Sequence, residues 1–208
     1  MVQIGITGSI GSGKSFLGRL LRERGFQVLD ADCAVHELYR DSKELRAELA
    51  EFFGESCLTP EGVNSALIAD RIFADAAARE KLEQIVYPHL TRTVESFFKA
   101  DSVNATSAAN AESDVDYCRF VEAALFSRAP QLVEMLDEIW IVDAPEDVRL
   151  QRLLARGLSE SDAVRRIQNQ RGVCNPDLFP GKKICTLNND GDRSSLESQI
   201  EMLLKKLR

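Results

Sequence analysis

The chain has 208 residues, of which 44% are hydrophobic and 28% charged, with a formal net charge of −7. That length supports one sizeable core with room for a smaller appended domain, and the balance is that of an ordinary globular protein. The acidity argues against a general nucleic-acid binder; no stretch approaches a membrane span; and five widely spaced cysteines without a C-x-x-C pair suggest neither a disulfide framework nor a zinc site.

Val2, Ile4 and Ile6 form a short apolar run that predicts a buried parallel strand. It breaks at Gly8 into GSIGSGKS, which fits the phosphate-loop pattern G-x-x-x-x-G-K-[ST] without a mismatch. Glycines let successive backbone N–H groups turn inward around a phosphate, because a Cβ would block both the backbone angles and the close approach. Lys14 can then reach the β- and γ-phosphates, and the Ser15 hydroxyl can ligate Mg²⁺. Leu17, Leu20 and Leu21 follow at helical spacing, so the phosphates are expected on a helix N-terminus. Gly25 is expected to end that helix.

Gln27, Val28 and Leu29 predict a second strand that delivers Asp30 and Asp32 at its carboxyl end, the edge where ligands bind in open α/β sheets. A helix from Cys33 through Tyr39 follows, carrying His36. Residues 42–99 show no strand. Their apolar residues fall on four helical faces, with Pro88 expected near a helix start. Residues 101–116 are small, polar and acidic, and predict a surface loop. Further strands are expected at 118–121, 139–142 and 184–187. A helix over 146–156 carries Arg149, Arg152 and Arg156; a helix capped at Ser159 or Ser161 and an amphipathic C-terminal helix complete the pattern. Alternating strands and helices imply a parallel sheet flanked by helices.

Phosphoryl transfer needs a metal, a cationic clamp and a positioned nucleophile. Lys14 and Ser15 supply the first parts, and Asp32 is the candidate to orient and deprotonate an attacking hydroxyl. The arginines on two adjacent helical segments split by Gly157 fit a lid over ATP, with Arg152 and Arg156 as phosphate ligands. The only apolar run ending in Asp in Walker-B fashion is the one closing at Asp143. These residues leave three readings open: a kinase of one particular acceptor, a kinase of another small molecule or nucleotide, or a non-catalytic nucleotide-binding regulator.

Taken together, GITGSIGSGKS, VLDADCAVHEL, DRIFAD, LEQIVYPHL, RRIQNQ and LNNDG resemble the dephospho-coenzyme A kinase family, in that family's order. The resemblance implies an α/β fold with a P-loop NTPase-type parallel sheet, a helical substrate subdomain and an Arg-rich lid. It implies ATP-dependent phosphorylation of the 3′-hydroxyl of dephospho-CoA, with ATP and Mg²⁺ as cofactors. By position, Gly8, Gly11, Ser12, Gly13, Lys14, Ser15 and Phe16 would hold ATP, with Ser15 on the metal and Asn189 packing on the adenine. Asp32, Lys14, Arg152 and Arg156 would be catalytic, and Asp32, His36, Tyr87 and Pro88 would meet the acceptor. Residues 1–41 and 117–208 would form the nucleotide-binding core, with the lid at about 153–172 and the CoA subdomain at 42–100. Departures from the family pattern are Phe16 for Thr, Tyr87 at a usual His-Pro pair, Ser127 for Glu, and Lys183-Ile184 for Ala-Asp. No signal peptide precedes the first strand, and reduced thiols suit a cytosol, so a cytoplasmic protein is expected, a monomer or small homo-oligomer with no nucleic-acid or membrane partner.

Overall fold

The computed structural model describes residues 1–100, 118–124 and 126–207; the loop expected at 101–116 lies outside them. In chain order the elements are β1 (Val2–Thr7), α1 (Lys14–Glu23), β2 (Gln27–Asp30), α2 (Ala31–Asp41), α3 (Lys43–Phe53), β3 (Leu58–Thr59), β4 (Gly62–Val63), α4 (Ser65–Ala74) and α5 (Ala76–Lys99). They continue with β5 (Cys118–Glu122), α6 (Pro130–Glu134), β6 (Glu138–Asp143), α7 (Glu146–Ala155), α8 (Glu160–Asn169), β7 (Lys183–Asn188) and α9 (Arg193–Lys205). The chain divides into two compact units, Met1–Leu29 with Ala100–Arg208, and Asp30–Lys99.

The first unit is built on a five-stranded sheet of order β2-β5-β1-β6-β7. β1 pairs in parallel with β5 and with β6, and β6 in parallel with β7. β5 is buried along its whole length and β6 along all but its last residue, as the continuous apolar runs require of strands covered on both faces. Ile4, Ile6, Phe120, Trp140 and Leu187 form a core with Leu17, Leu20 and Leu21 of α1 and Leu196 and Ile200 of α9. The Trp140 indole N–H donates to Glu138 Oε2 at 3.1 Å, and Lys183 pairs with Oε1 of the same buried carboxylate. Lys183, unusual at its position, thus neutralises a charge that would be costly to bury alone. α6 is not foreseen from sequence; Pro130, free of an N–H that would go unbonded, begins it.

The second unit packs α2, α3, α4 and α5 around Leu45, Leu49, Phe53, Cys57, Ile68, Ile85 and Val86. Two expectations fail here. The region does hold strands, since Leu58–Thr59 pairs antiparallel with Gly62–Val63, but two-residue strands carry too little alternation to be read. Pro88 stands inside one 24-residue helix rather than near a helix start. An interior proline costs about 3 kcal/mol. Ile85, Val86, His89, Leu90 and Val94 are buried on both sides of it, and their packing offsets that cost while the ring itself stays exposed.

Candidate active site

β1 stays buried through Thr7, and the chain then turns through GSIGSGKS into α1. Gly13 is the N-cap of α1 with φ +99°, a left-handed conformation that a side chain would strain. A Cβ there would also lie 2.1 Å from Asn189 Nδ2. Asn189 approaches because it holds the loop: Nδ2 donates to Ser12 O at 2.7 Å, and its own N–H donates to Asp143 O at 2.7 Å. Arg152 reaches the loop from α7, donating to Gly11 O and Ser12 O, each at 3.2 Å, and to Asn189 O at 2.8 Å. Two consecutive loop carbonyls are thereby fixed by cationic and amide donors. The amides of Lys14 and Ser15, which precede the first bonded turn of α1, remain as anion donors.

Lys14 begins α1, half-buried, with no ion-pair partner among the described residues. Gly8, Gly11 and Ser12 are buried, and Ser12 Oγ has no hydrogen-bond partner among the described residues. The Phe16 N–H donates to Gly13 O at 3.0 Å, and its ring carries the Arg19 guanidinium 5.2 Å from the centroid. Ser15 Oγ donates to Glu122 Oε1 at 2.5 Å. Glu122 closes β5 and is 3% exposed; Gly18 of α1 leaves the room it needs, since a Cβ there would stand 2.7 Å from Oε2.

Glu122 is the site residue that sequence reasoning missed. The signal was there: an apolar run, Cys118 to Val121, ending in an acid on a strand beside β1. The other apolar run ending in an acid closes at Asp143, which ends β6 exposed to solvent. The remaining lid candidate, Arg156, is the C-cap residue directly after α7 and is also exposed. α8 is capped by Ser159, whose Oγ accepts from Asp162 N–H at 3.2 Å.

In the second unit, Asp30 rather than Asp32 caps α2, accepting from Cys33 N–H at 3.0 Å. The same carboxylate is the main reason the Cys33 thiol titrates above its usual value. Asp32 lies in the first turn of α2, exposed, and His36 follows one turn later, edge-on to Tyr39 with ring centroids 6.5 Å apart. Tyr87 is half-buried and Pro88 exposed on α5. His89 is structural: it is 5% exposed, with Nε2 3.0 Å from Glu48 Oε1 and Nδ1 3.1 Å from the Arg92 guanidinium.

A phosphate loop on a parallel sheet defines a superfamily rather than an acceptor. The decision comes from the family model for dephospho-CoA kinase, which matches residues 2–174. The chain belongs to the dephospho-CoA kinase family. It is 32% identical over 211 residues to the dephospho-CoA kinase of Corynebacterium efficiens, an alignment covering all of this chain and 98% of that one. The crystal structure of TT1252 from Thermus thermophilus superposes with a TM-score of 0.74 at 27% identity, over 100% of this chain and 98% of that one. A dephospho-CoA kinase from Campylobacter jejuni shares the fold with a TM-score of 0.64 at 19% identity, over 99% and 96% of the two chains. The family makes this chain an enzyme that uses a nucleotide and a small-molecule acceptor.

Proposed function

We propose that the chain transfers the γ-phosphoryl group of ATP to the 3′-hydroxyl of dephospho-CoA, the last step of coenzyme A synthesis, with Asp32 as the carboxylate that prepares the hydroxyl. The observation that carries this reading is the Lys14–Ser15–Glu122 constellation at the start of α1, in a chain that matches the family over residues 2–174.

Residues 8–16 hold the triphosphate: the amides of Lys14 and Ser15 and the Lys14 ammonium, without an ion-pair partner among the described residues, face its charge. Arg152 and Asn189 keep the loop in shape, with Asn189 at the adenine end, and Arg156 closes on the phosphates with the lid. The Ser15 hydroxyl and the Glu122 carboxylate are hard oxygen donors of the kind that Mg²⁺ takes, so these two residues would hold the metal. When bound, Mg²⁺ supplies neutralisation of charge on the β- and γ-oxygens. Asp32 accepts the proton of the 3′-hydroxyl as the new O–P bond forms and the bond to the bridging oxygen of ADP breaks. His36, Tyr87 and Pro88 contact the acceptor, which residues 42–100 select. The net charge of −7 and the five free cysteines support a reducing cytoplasm and no nucleic-acid partner; among the described residues no helix is long and apolar enough to cross a membrane. A monomer or small homo-oligomer suffices for the reaction.

A coupled ADP-release assay tests the reading. ATP and Mg²⁺ with dephospho-CoA should give turnover well above that with ATP alone, and above that with nucleoside monophosphates or shikimate as acceptor. Equal or faster release with another acceptor would reassign the substrate. ATP binding without any release would leave a nucleotide-binding regulator.

A further inference from the structure

Ile10 is the one large residue in a loop otherwise made of glycine, serine and lysine. Its side chain packs against the cluster formed by Leu153, Ala163 and Ile167, which is the interior of the α7–α8 pair. Its backbone N–H donates to Gln170 Oε1 at 2.7 Å. Gln170 directly follows α8, where its own N–H still bonds to Ile167 O, so its side chain is aimed by the end of a regular helix. Past it the chain reverses at Gly172, with φ +78°, and brings Cys174 Sγ to 3.9 Å from Ser9 Oγ. Two consecutive loop residues are therefore joined to the segment that leaves α8.

We infer that Gln170 is a positioning residue for the reaction, acting through the Ile10 amide to set the phosphate loop in register with the α7–α8 lid. This rests on the reading above that the loop holds ATP. The two contacts do different things. The Ile10 side chain binds the lid without directional preference, whereas the amide–Gln170 bond fixes the rotation of the loop peptide. A glutamine suits the task because it accepts from the amide while adding no charge beside the triphosphate. Without an acceptor the half-buried amide must find water, and the loop loses the geometry that pre-forms its anion cradle.

The test uses the full chain, ¹⁵N-labelled, as wild type and as Gln170→Leu and Gln170→Met, two side chains of similar bulk that lack the acceptor. In nucleotide-free wild-type protein the Ile10 amide should exchange slowly with deuterium, and in the variants roughly tenfold faster, while amides of β6 keep their rates. The KM for ATP should rise roughly three- to tenfold, with kcat at saturating ATP within about threefold of wild type, as expected for one lost neutral hydrogen bond. A fast-exchanging Ile10 amide in wild type overturns the inference even if neither variant folds. So does an ATP KM within twofold of wild type in either folded variant. Should wild-type protein show no ATP turnover, the kinase reading fails by itself, and the exchange rates still decide whether Gln170 holds the loop.

Discussion

Asp32 is the second residue of α2, exposed in its first turn, while Asp30 is the N-cap that accepts from Cys33 N–H at 3.0 Å. Asp32→Asn keeps size and polarity but cannot accept the proton. ATP affinity is expected within about threefold of wild type, while kcat falls by roughly 10²- to 10⁴-fold. Wild-type-like turnover in this variant would remove Asp32 from the chemistry. Glu122 makes a separate prediction. Glu122→Gln preserves shape beside Ser15 yet removes the only negative charge of the metal pair. It should raise the Mg²⁺ concentration needed for half-maximal turnover by at least about tenfold. An unchanged Mg²⁺ midpoint would mean that the carboxylate serves only to hold the Ser15 hydroxyl.

At the scale of elements, the local signals were legible and the distant pairings were not. β1, the glycine loop and the leucine stripe of α1 announce themselves because each is a pattern within a few residues. So do the cap at Ser159 and the IWIV run of β6, which the structure extends by a residue at either end. What orders the site joins residues far apart: Ser15 to Glu122, Arg152 to Gly11 and Asn189 to Ser12. No periodicity within one segment reports such contacts. Helix α5 shows the converse error, where a strong local rule at Pro88 yields to burial of the residues around it. Pro88→Ala supplies the missing N–H in an exposed position. It should therefore stabilise the chain by roughly 1–3 kcal/mol, part or all of the interior-proline penalty. Thermal unfolding should shift upward by about 2–4 °C for each kcal/mol gained. A lower melting temperature would show that the helix is built around the proline rather than in spite of it.

Across the whole molecule, the first unit carries the residues proposed to grip a triphosphate: the loop, Lys14, the Ser15–Glu122 pair, Arg152 and Asn189. The second unit carries Asp32, His36, Tyr87 and Pro88, the residues assigned to the acceptor. The sequence motifs fall on both units, which is why the family could be read along most of the chain, whereas the loop–lid tie at Gln170 and Ile10 emerges only from the coordinates. The division makes a clean experimental separation, since nucleotide binding and acceptor chemistry should fail independently when residues of one unit or the other are changed. The most direct measurement follows the phosphorus itself. The purified chain is incubated with ATP, Mg²⁺ and dephospho-CoA, and the product is examined by ³¹P NMR. A new phosphomonoester signal coupled to the ribose 3′ proton, growing in step with ADP, is the predicted result. Phosphate released to water, or a phosphoryl group on any other hydroxyl, would contradict it.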